Sequence, residues 1–131
     1  MDIKLARLKQ LLLVKVILTL LLWAIPSLLA PPLMLEFFGL PTADLTILRI
    51  FGAVLIAMSV AYWLASKDPL RNLAVIWMAI VYNGLTMLVI VILGLTTGIG
   101  WYLWFSVVIK LIIFIAFLVL VPKSDQYRQS V

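Results

Sequence analysis

A lysine stands in the middle of the apolar run WYLWFSVVIKLIIFIAFLVLV, ten residues after Gly100 and eleven before Val121. At about 1.5 Å of helix per residue, Lys110 lies about 15 Å from either end of that run. Its stem spans about a third of that distance, so snorkelling does not bring the ammonium to water. A charge at such depth costs about 3 kcal/mol on insertion scales. Lys110 is therefore expected to face a bundle interior, a wet cavity or a partner subunit, binding an anion or changing protonation. The structural alternative is a lysine paired with a carboxylate or held neutral within the packing. Tyr102, Ser106 and Lys110 recur every fourth residue and share one helical face. The Ser106–Lys110 spacing would also let a lysine deprotonate a serine, as in a hydrolase. Any serine four residues before a lysine meets that condition, so it designates no catalytic residue.

Other polar residues fall at matching places. Lys15, Thr19, Trp23 and Ser27 form a second every-fourth stripe. Asn83 and Thr86 are three apart, beside Tyr82, and Asn83 lies about 17 Å along its helix from Asn72, close to the depth of Lys110. Arg49, in DLTILRIFGA, is about one turn below Asp44. It can pair with an acid such as Glu36, hold an anion with its planar fork, or snorkel to headgroups. Singly, a serine, threonine or asparagine in a membrane helix is commonly a helix–helix hydrogen bond. Shared depth makes a cluster of them a candidate site: Lys110, Arg49, Asn83, Thr86, Ser106, Ser27 and Tyr102. Trp23 and Trp77 lie deep enough to line a cavity or to fill core volume.

Much chemistry is excluded. The chain has no Cys and no His. It therefore lacks the ligands for disulfides, thiol redox chemistry, His-ligated haem, iron–sulfur clusters and the usual zinc sites. No metal is expected. There is no GxGxxG, P-loop or nucleophile elbow. No acidic residue lies in the centre of any span, which argues against a proton-coupled carrier.

The elements that must position these residues follow from composition. Of 131 residues, 66% are hydrophobic and 11% charged, against about 25% charged in soluble domains. A bilayer is the implied solvent, and the chain reads as a single transmembrane domain, 1–131. Four apolar stretches can each cross about 30 Å of hydrocarbon: about 11–30, 44–65, 72–95 and 100–121. Pro31-Pro32, Asp68-Pro69, Thr96-Thr97-Gly98 and Pro122 end them. Thr42 or Asp44 is expected to cap the second, and Pro26 to free a carbonyl near Leu22 and kink the first. No period-2 pattern suggests a barrel. The short connections imply antiparallel neighbours, hence an all-α, antiparallel four-helix membrane bundle. Residues 31–43, apolar but broken by three prolines and a glycine, are expected to lie in the interface, with Phe37 and Phe38 toward lipid. Ala53, Ala57, Ala61 and Ala65, following Gly52, make a small-residue ridge suited to close helix packing, within the chain or with a second copy. Gly84 and Gly94 would relieve crowding in span three. Trp101, Trp104 and Tyr102 are expected in one interfacial aromatic belt, and Tyr62 and Trp63 in the other.

Charge sets an expected orientation. Lys4, Arg7, Lys9 and Lys15, then Lys67 and Arg71, then Lys123 and Arg128 gather at one side, with Asp2, Asp68 and Asp125. These carry the whole net charge of +5, while Glu36, Asp44, Arg49 and Lys110 sum to zero. The positive-inside rule then places both termini in the cytoplasm, in the cell membrane of a prokaryote. Ser27-Leu28-Leu29-Ala30 superficially fits a signal-peptidase site, but a proline would follow the cut and the apolar run is too long, so retention is expected.

Positions 37 to 72, FFGLP followed by LRIFGAVLIAMSVAYWLASKDPLRN, resemble the small four-helix bacterial membrane proteins grouped as DoxX-like or BphX-like. The shared pattern is a phenylalanine–glycine turn after a proline-terminated helix, an arginine before Phe-Gly opening helix two, and an aromatic followed by a basic–acidic–proline exit. Arg49 and Gly52 match it. The resemblance implies an accessory membrane subunit, in some relatives linked to quinone oxidoreductases, or a small-amphiphile binder.

The expected function is binding: a polar pocket in the outer half accepts the head of an anionic or amphiphilic molecule, lipid or quinone-like, with apolar helices around its tail. No other cofactor is implied. Alternatives are a scaffold or accessory subunit whose Lys110 meets a partner's acid, and an oligomeric small-solute transporter or channel. Expected partners are membrane lipids and a homo-oligomer or larger membrane complex, not nucleic acid.

Overall fold

The computed structural model describes residues 3–40, 42 and 44–123. Asp2, Asp125 and Arg128, which enter the orientation argument, lie outside them. Among the described residues every regular element is helical. In chain order these are α1 (Ile3–Leu29), a short α2 (Pro32–Phe37), α3 (Leu45–Lys67), α4 (Leu73–Thr96) and α5 (Trp101–Leu120). The four long ones are each long and apolar enough to cross a membrane, which makes this a multi-pass membrane protein by length and composition.

Each boundary has a local cause. α1 starts at Ile3 rather than Leu11, because Lys4, Arg7 and Lys9 prefer water yet are good helix formers. It stops where Ala30 turns extended ahead of Pro31. Pro32 opens α2 at a position where its missing N–H costs nothing. Gly39, at φ +70°, turns the chain away from α2. Asp44 caps α3 by accepting a 2.9 Å bond from the Thr46 N–H. That bond holds the Asp44 carboxyl below its ordinary range. Between α3 and α4, Asn72 Nδ2 donates to the Asp68 carbonyl at 2.8 Å, and Arg71 pairs with Asp68 at 3.4 Å on the exposed surface. Gly98, at φ +79°, ends the stretch after α4.

The buried face of each helix follows the helical repeat, mostly in steps of three or four: Leu8, Leu12, Lys15, Thr19 and Trp23 on α1; Gly52, Leu55, Ser59, Tyr62 and Ser66 on α3; Ile76, Ala79, Ile80 and Asn83 on α4; Tyr102, Ser106, Lys110, Ile113 and Phe117 on α5. These faces stack in three layers. An apolar cluster at one end joins Leu8, Leu12, Tyr62, Ala65, Ile76, Ile80, Ile113 and Phe117. A second, toward α2, joins Trp23, Ala24, Leu55 and Tyr102. Lys15, Thr19, Asn83, Ser106 and Lys110 occupy the level between them. The first cluster takes the start of α1 and α4 and the end of α3 and α5, so successive long helices alternate in direction. The outward faces carry large apolar residues such as Ile17, Leu21, Val81, Val89, Ile112 and Val119. That pattern suits lipid, where association rests on close packing and hydrogen bonds rather than on exclusion of water.

Glycines set the closest approaches. A Cβ on Gly52 would sit 2.8 Å from the Leu28 nitrogen and 3.0 Å from the Ala24 carbonyl oxygen, so α3 lies directly on the α1 backbone. The alanine ridge behaves otherwise. Ala65 is buried, but Ala53 and Ala57 face outward, because Gly52, Leu55 and Ser59 take the inward face. Gly94 lies under the Trp104 ring and Gly84 under Phe114, which accounts for both glycines in α4. Gly39 and Gly100 touch backbone to backbone: a Cβ on Gly100 would lie 2.6 Å from the Gly39 Cα. This contact folds the 37–40 segment onto α5. Phe38 therefore packs on Tyr102 at 4.9 Å between ring centroids rather than pointing to lipid, while Phe37 remains exposed. Trp101 Nε1 donates to the Phe37 carbonyl at 3.2 Å. Gly100→Val is expected to cost about 1–3 kcal/mol through this clash, leaving α4 intact. Thermal unfolding in detergent, with Trp fluorescence as probe, measures it.

Candidate functional site

The site begins with the break in α1. Pro26 has no N–H, so the Leu22 carbonyl loses its helical donor. The helix widens into a π-type segment over Thr19–Ala24, where the Ile25 N–H bonds to Leu20 rather than Leu21. The freed Leu22 carbonyl accepts from the Tyr102 hydroxyl on α5. The proline thus creates the acceptor that fastens α5 to α1 beside Trp23. Tyr102→Phe is expected to leave that carbonyl unpaired, costing about 1–3 kcal/mol in a thermal denaturation series.

Below this bond lies the polar layer. Lys15 is fully buried, and its Nζ donates to Asn83 Oδ1 at 3.1 Å. Asn83 Nδ2 donates in turn to the Ala79 carbonyl at 2.7 Å. Lys15 Nζ also lies 5.2 Å from the Tyr82 ring centroid and 5.7 Å from those of Trp23 and Tyr62. Lys110, 3% exposed, places Nζ 4.6 Å from the Tyr82 centroid and 4.8 Å from that of Trp23. Two ammonium groups therefore share two aromatic rings, each a favourable cation–π contact. No acidic residue lies within any of the four long helices, and among the described residues no carboxylate pairs with either lysine. Among the described residues, four buried polar atoms around it have no hydrogen-bond partner: Thr19 Oγ1, Trp23 Nε1, Tyr62 OH and Ser106 Oγ. Buried orphans of this kind are rare in native proteins.

A cavity of about 340 Å³ adjoins the layer on the α2 side. Lys110, Ser106, Trp23 and Tyr82 line its polar part; Phe51, Leu85, Val89, Ile90 and Leu103 line the rest, with Thr86. α3 and α4 touch little beyond their connecting turn, and the cavity occupies the gap between them. Its volume falls at the lower end of small-ligand pockets, and its walls are almost wholly apolar, as such pockets predominantly are. Leu103 also borders a second cleft, formed by Gly39, Leu40, Leu93, Thr97, Gly98, Ile99 and Gly100.

Of the seven candidates read from the sequence, Lys110, Ser106 and Thr86 line the cavity. The Thr86 hydroxyl donates to the Tyr82 carbonyl at 2.6 Å. Asn83 shares their layer but lies off the cavity wall, holding Lys15. Tyr102 sits beside Trp23 and ties α5 to α1. Arg49 and Ser27 are elsewhere. The Arg49 guanidinium donates to the Ser27 carbonyl at 3.0 Å and to the Ala30 carbonyl at 2.6 Å. It occupies acceptors that the Pro31-Pro32 stop leaves without helical partners, rather than pairing with Glu36 or Asp44. Lys15 departs from its place in the orientation argument: it faces inward at mid-depth, not the basic flank, since α1 starts early enough to carry it there. Tyr62 is likewise internal rather than in a belt, while Trp63 stays outside under the Lys67 ammonium at 4.0 Å. Trp77 faces outward; Trp23 lines the cavity. The site's further members are thus Lys15, Trp23, Tyr62 and Tyr82. The every-fourth stripe signals Lys15 and Trp23, and Tyr82 stands beside Asn83 in the sequence, whereas nothing in the sequence places Tyr62 here.

The fold and this polar layer define a class: a four-span membrane protein with a cationic, aromatic-lined interior. No protein-family model matches the chain, and no curated protein or solved structure matches it either.

Proposed function

We propose that the protein binds a small anionic amphiphile, its head against Lys110 and its tail between α3 and α4. The observation that carries this is Lys110 at the base of an apolar cavity, in a bundle whose spans contain no acid. A cation so placed needs a compensating charge, and only a ligand or a partner can bring one. The cavity gives a ligand room at that position. A neutral quinone would leave both ammonium groups uncompensated, so an anionic head is favoured. The DoxX-like pattern around Arg49 and Gly52 agrees with a small-amphiphile binder. The protein sits in the cell membrane of a prokaryote with the Lys67–Arg71 turn and both termini in the cytoplasm, by the positive-inside rule. The cavity then lies in the outer half.

Native mass spectrometry of protein from mild detergent tests the proposal. The wild type is expected to retain an anionic small molecule. Leu103→Trp, which narrows the cavity without touching the Lys110 charge, is expected to lose it while remaining folded. A wild type that carries only a partner subunit would support the scaffold reading instead.

A further inference from the structure

We infer that the head of this ligand is a phosphate monoester dianion, an inference that rests on the binding reading above. Two cations, not one, need compensation. Lys110 lines the cavity; Lys15 does not, but stands against the same Trp23 and Tyr82 rings that line it. In a low-dielectric interior a charge beside Lys110 also acts on Lys15, because attraction falls only with the first power of distance. A carboxylate carries one charge and leaves the pair with a net positive one. A phosphate monoester carries close to two near neutral pH and presents three acceptor oxygens.

The donors agree with that count. Lys110 Nζ makes ring contacts but donates no hydrogen bond to the described residues. Ser106 and Trp23 line the cavity, and their Oγ and Nε1 have no partner. Both residues are at least nine-tenths buried. The three residues stand at the end of the cavity nearest the polar layer, where a phosphate head with three acceptor oxygens can draw on more than one donor. Lys15 keeps its bond to Asn83 and contributes through its charge.

The test is a calorimetric titration of folded protein in neutral maltoside detergent at pH 8, with dodecyl phosphate, dodecanoate and inorganic phosphate as probes. Both amphiphiles have the same chain length and differ in head charge. Dodecyl phosphate is expected to bind the wild type about tenfold or more tightly than dodecanoate. Lys15→Gln, whose amide can still donate to Asn83, is expected to shrink that preference to about threefold or less. Should this variant fail to fold, the wild-type ratio still decides. Equal affinity for the two amphiphiles would overturn the dianion and leave anionic binding standing. Failure of folded wild type to bind either amphiphile would overturn both. Inorganic phosphate binding as tightly as dodecyl phosphate would support the dianion and identify free phosphate, not lipid, as its source.

Discussion

Lys110→Met raises the melting temperature of the delipidated protein and removes the further rise that an anionic amphiphile gives the wild type. Without ligand, Lys110 is a cation among apolar helices with two ring faces and a second ammonium near them. Replacing a buried ion by an apolar residue of similar length commonly stabilises by about 1–4 kcal/mol. The same change takes away the group that a ligand head would meet. Wild-type protein with ligand at about a hundred times its dissociation constant gains about 2.7 kcal/mol, whereas the variant gains almost none. Thermal unfolding of both proteins, with and without dodecyl phosphate, measures the two effects together. A variant less stable than the wild type in the absence of ligand would mean that Lys110 is part of the packing rather than held ready for a ligand. Stability set against function in this way is a common mark of binding sites.

The second large effect is expected at Asn83. Its Oδ1 is the one hydrogen-bond acceptor that Lys15 has among the described residues. Asn83→Leu removes it and leaves a fully buried ammonium with ring faces alone, at a cost of about 3 kcal/mol. Removing Lys15 as well should recover most of that loss. A buried donor without its acceptor is more costly than the absence of both. The double variant Lys15→Met with Asn83→Leu is therefore expected to unfold at a higher temperature than Asn83→Leu alone. Additive losses in this double-mutant cycle would show that the 3.1 Å contact carries no coupling energy.

The helices were legible because lipid imposes length and composition on them, and prolines and glycines mark their ends. Two local readings also carry through to particular atoms. Pro26 was expected to free a carbonyl near Leu22, and that carbonyl receives the Tyr102 hydroxyl. Asp44 was expected to cap α3, and it does so through Thr46. The partnerships across helices were less legible. An ion pair of Arg49 with an acid such as Glu36 was an open reading, but the Pro31-Pro32 stop leaves carbonyls unpaired within its reach, and a forked donor serves two at once. Lys15 was grouped with the basic flank because it follows Lys4, Arg7 and Lys9 at short intervals. Only the inward turn of its helix face separates it from them. Tyr62 and Trp63 are adjacent and chemically alike, yet one is internal and the other exposed, a difference set by a rotation of about 100° along a helix. The alanine ridge divides between inner and outer faces for the same reason. A four-residue repeat drifts around a helix of 3.6 residues per turn, so Ala53 and Ala57 leave the face that Ala65 occupies.

The most direct measurement is an electron cryo-microscopy structure of wild-type protein extracted in mild detergent, read at the cavity beside Lys110. Compensation by a ligand predicts elongated density between α3 and α4, with head oxygens about 2.8 Å from Lys110 Nζ. Density confined to water there, or a Lys110 Nζ paired with an acid from another chain or turned outward to the lipid face, would contradict it.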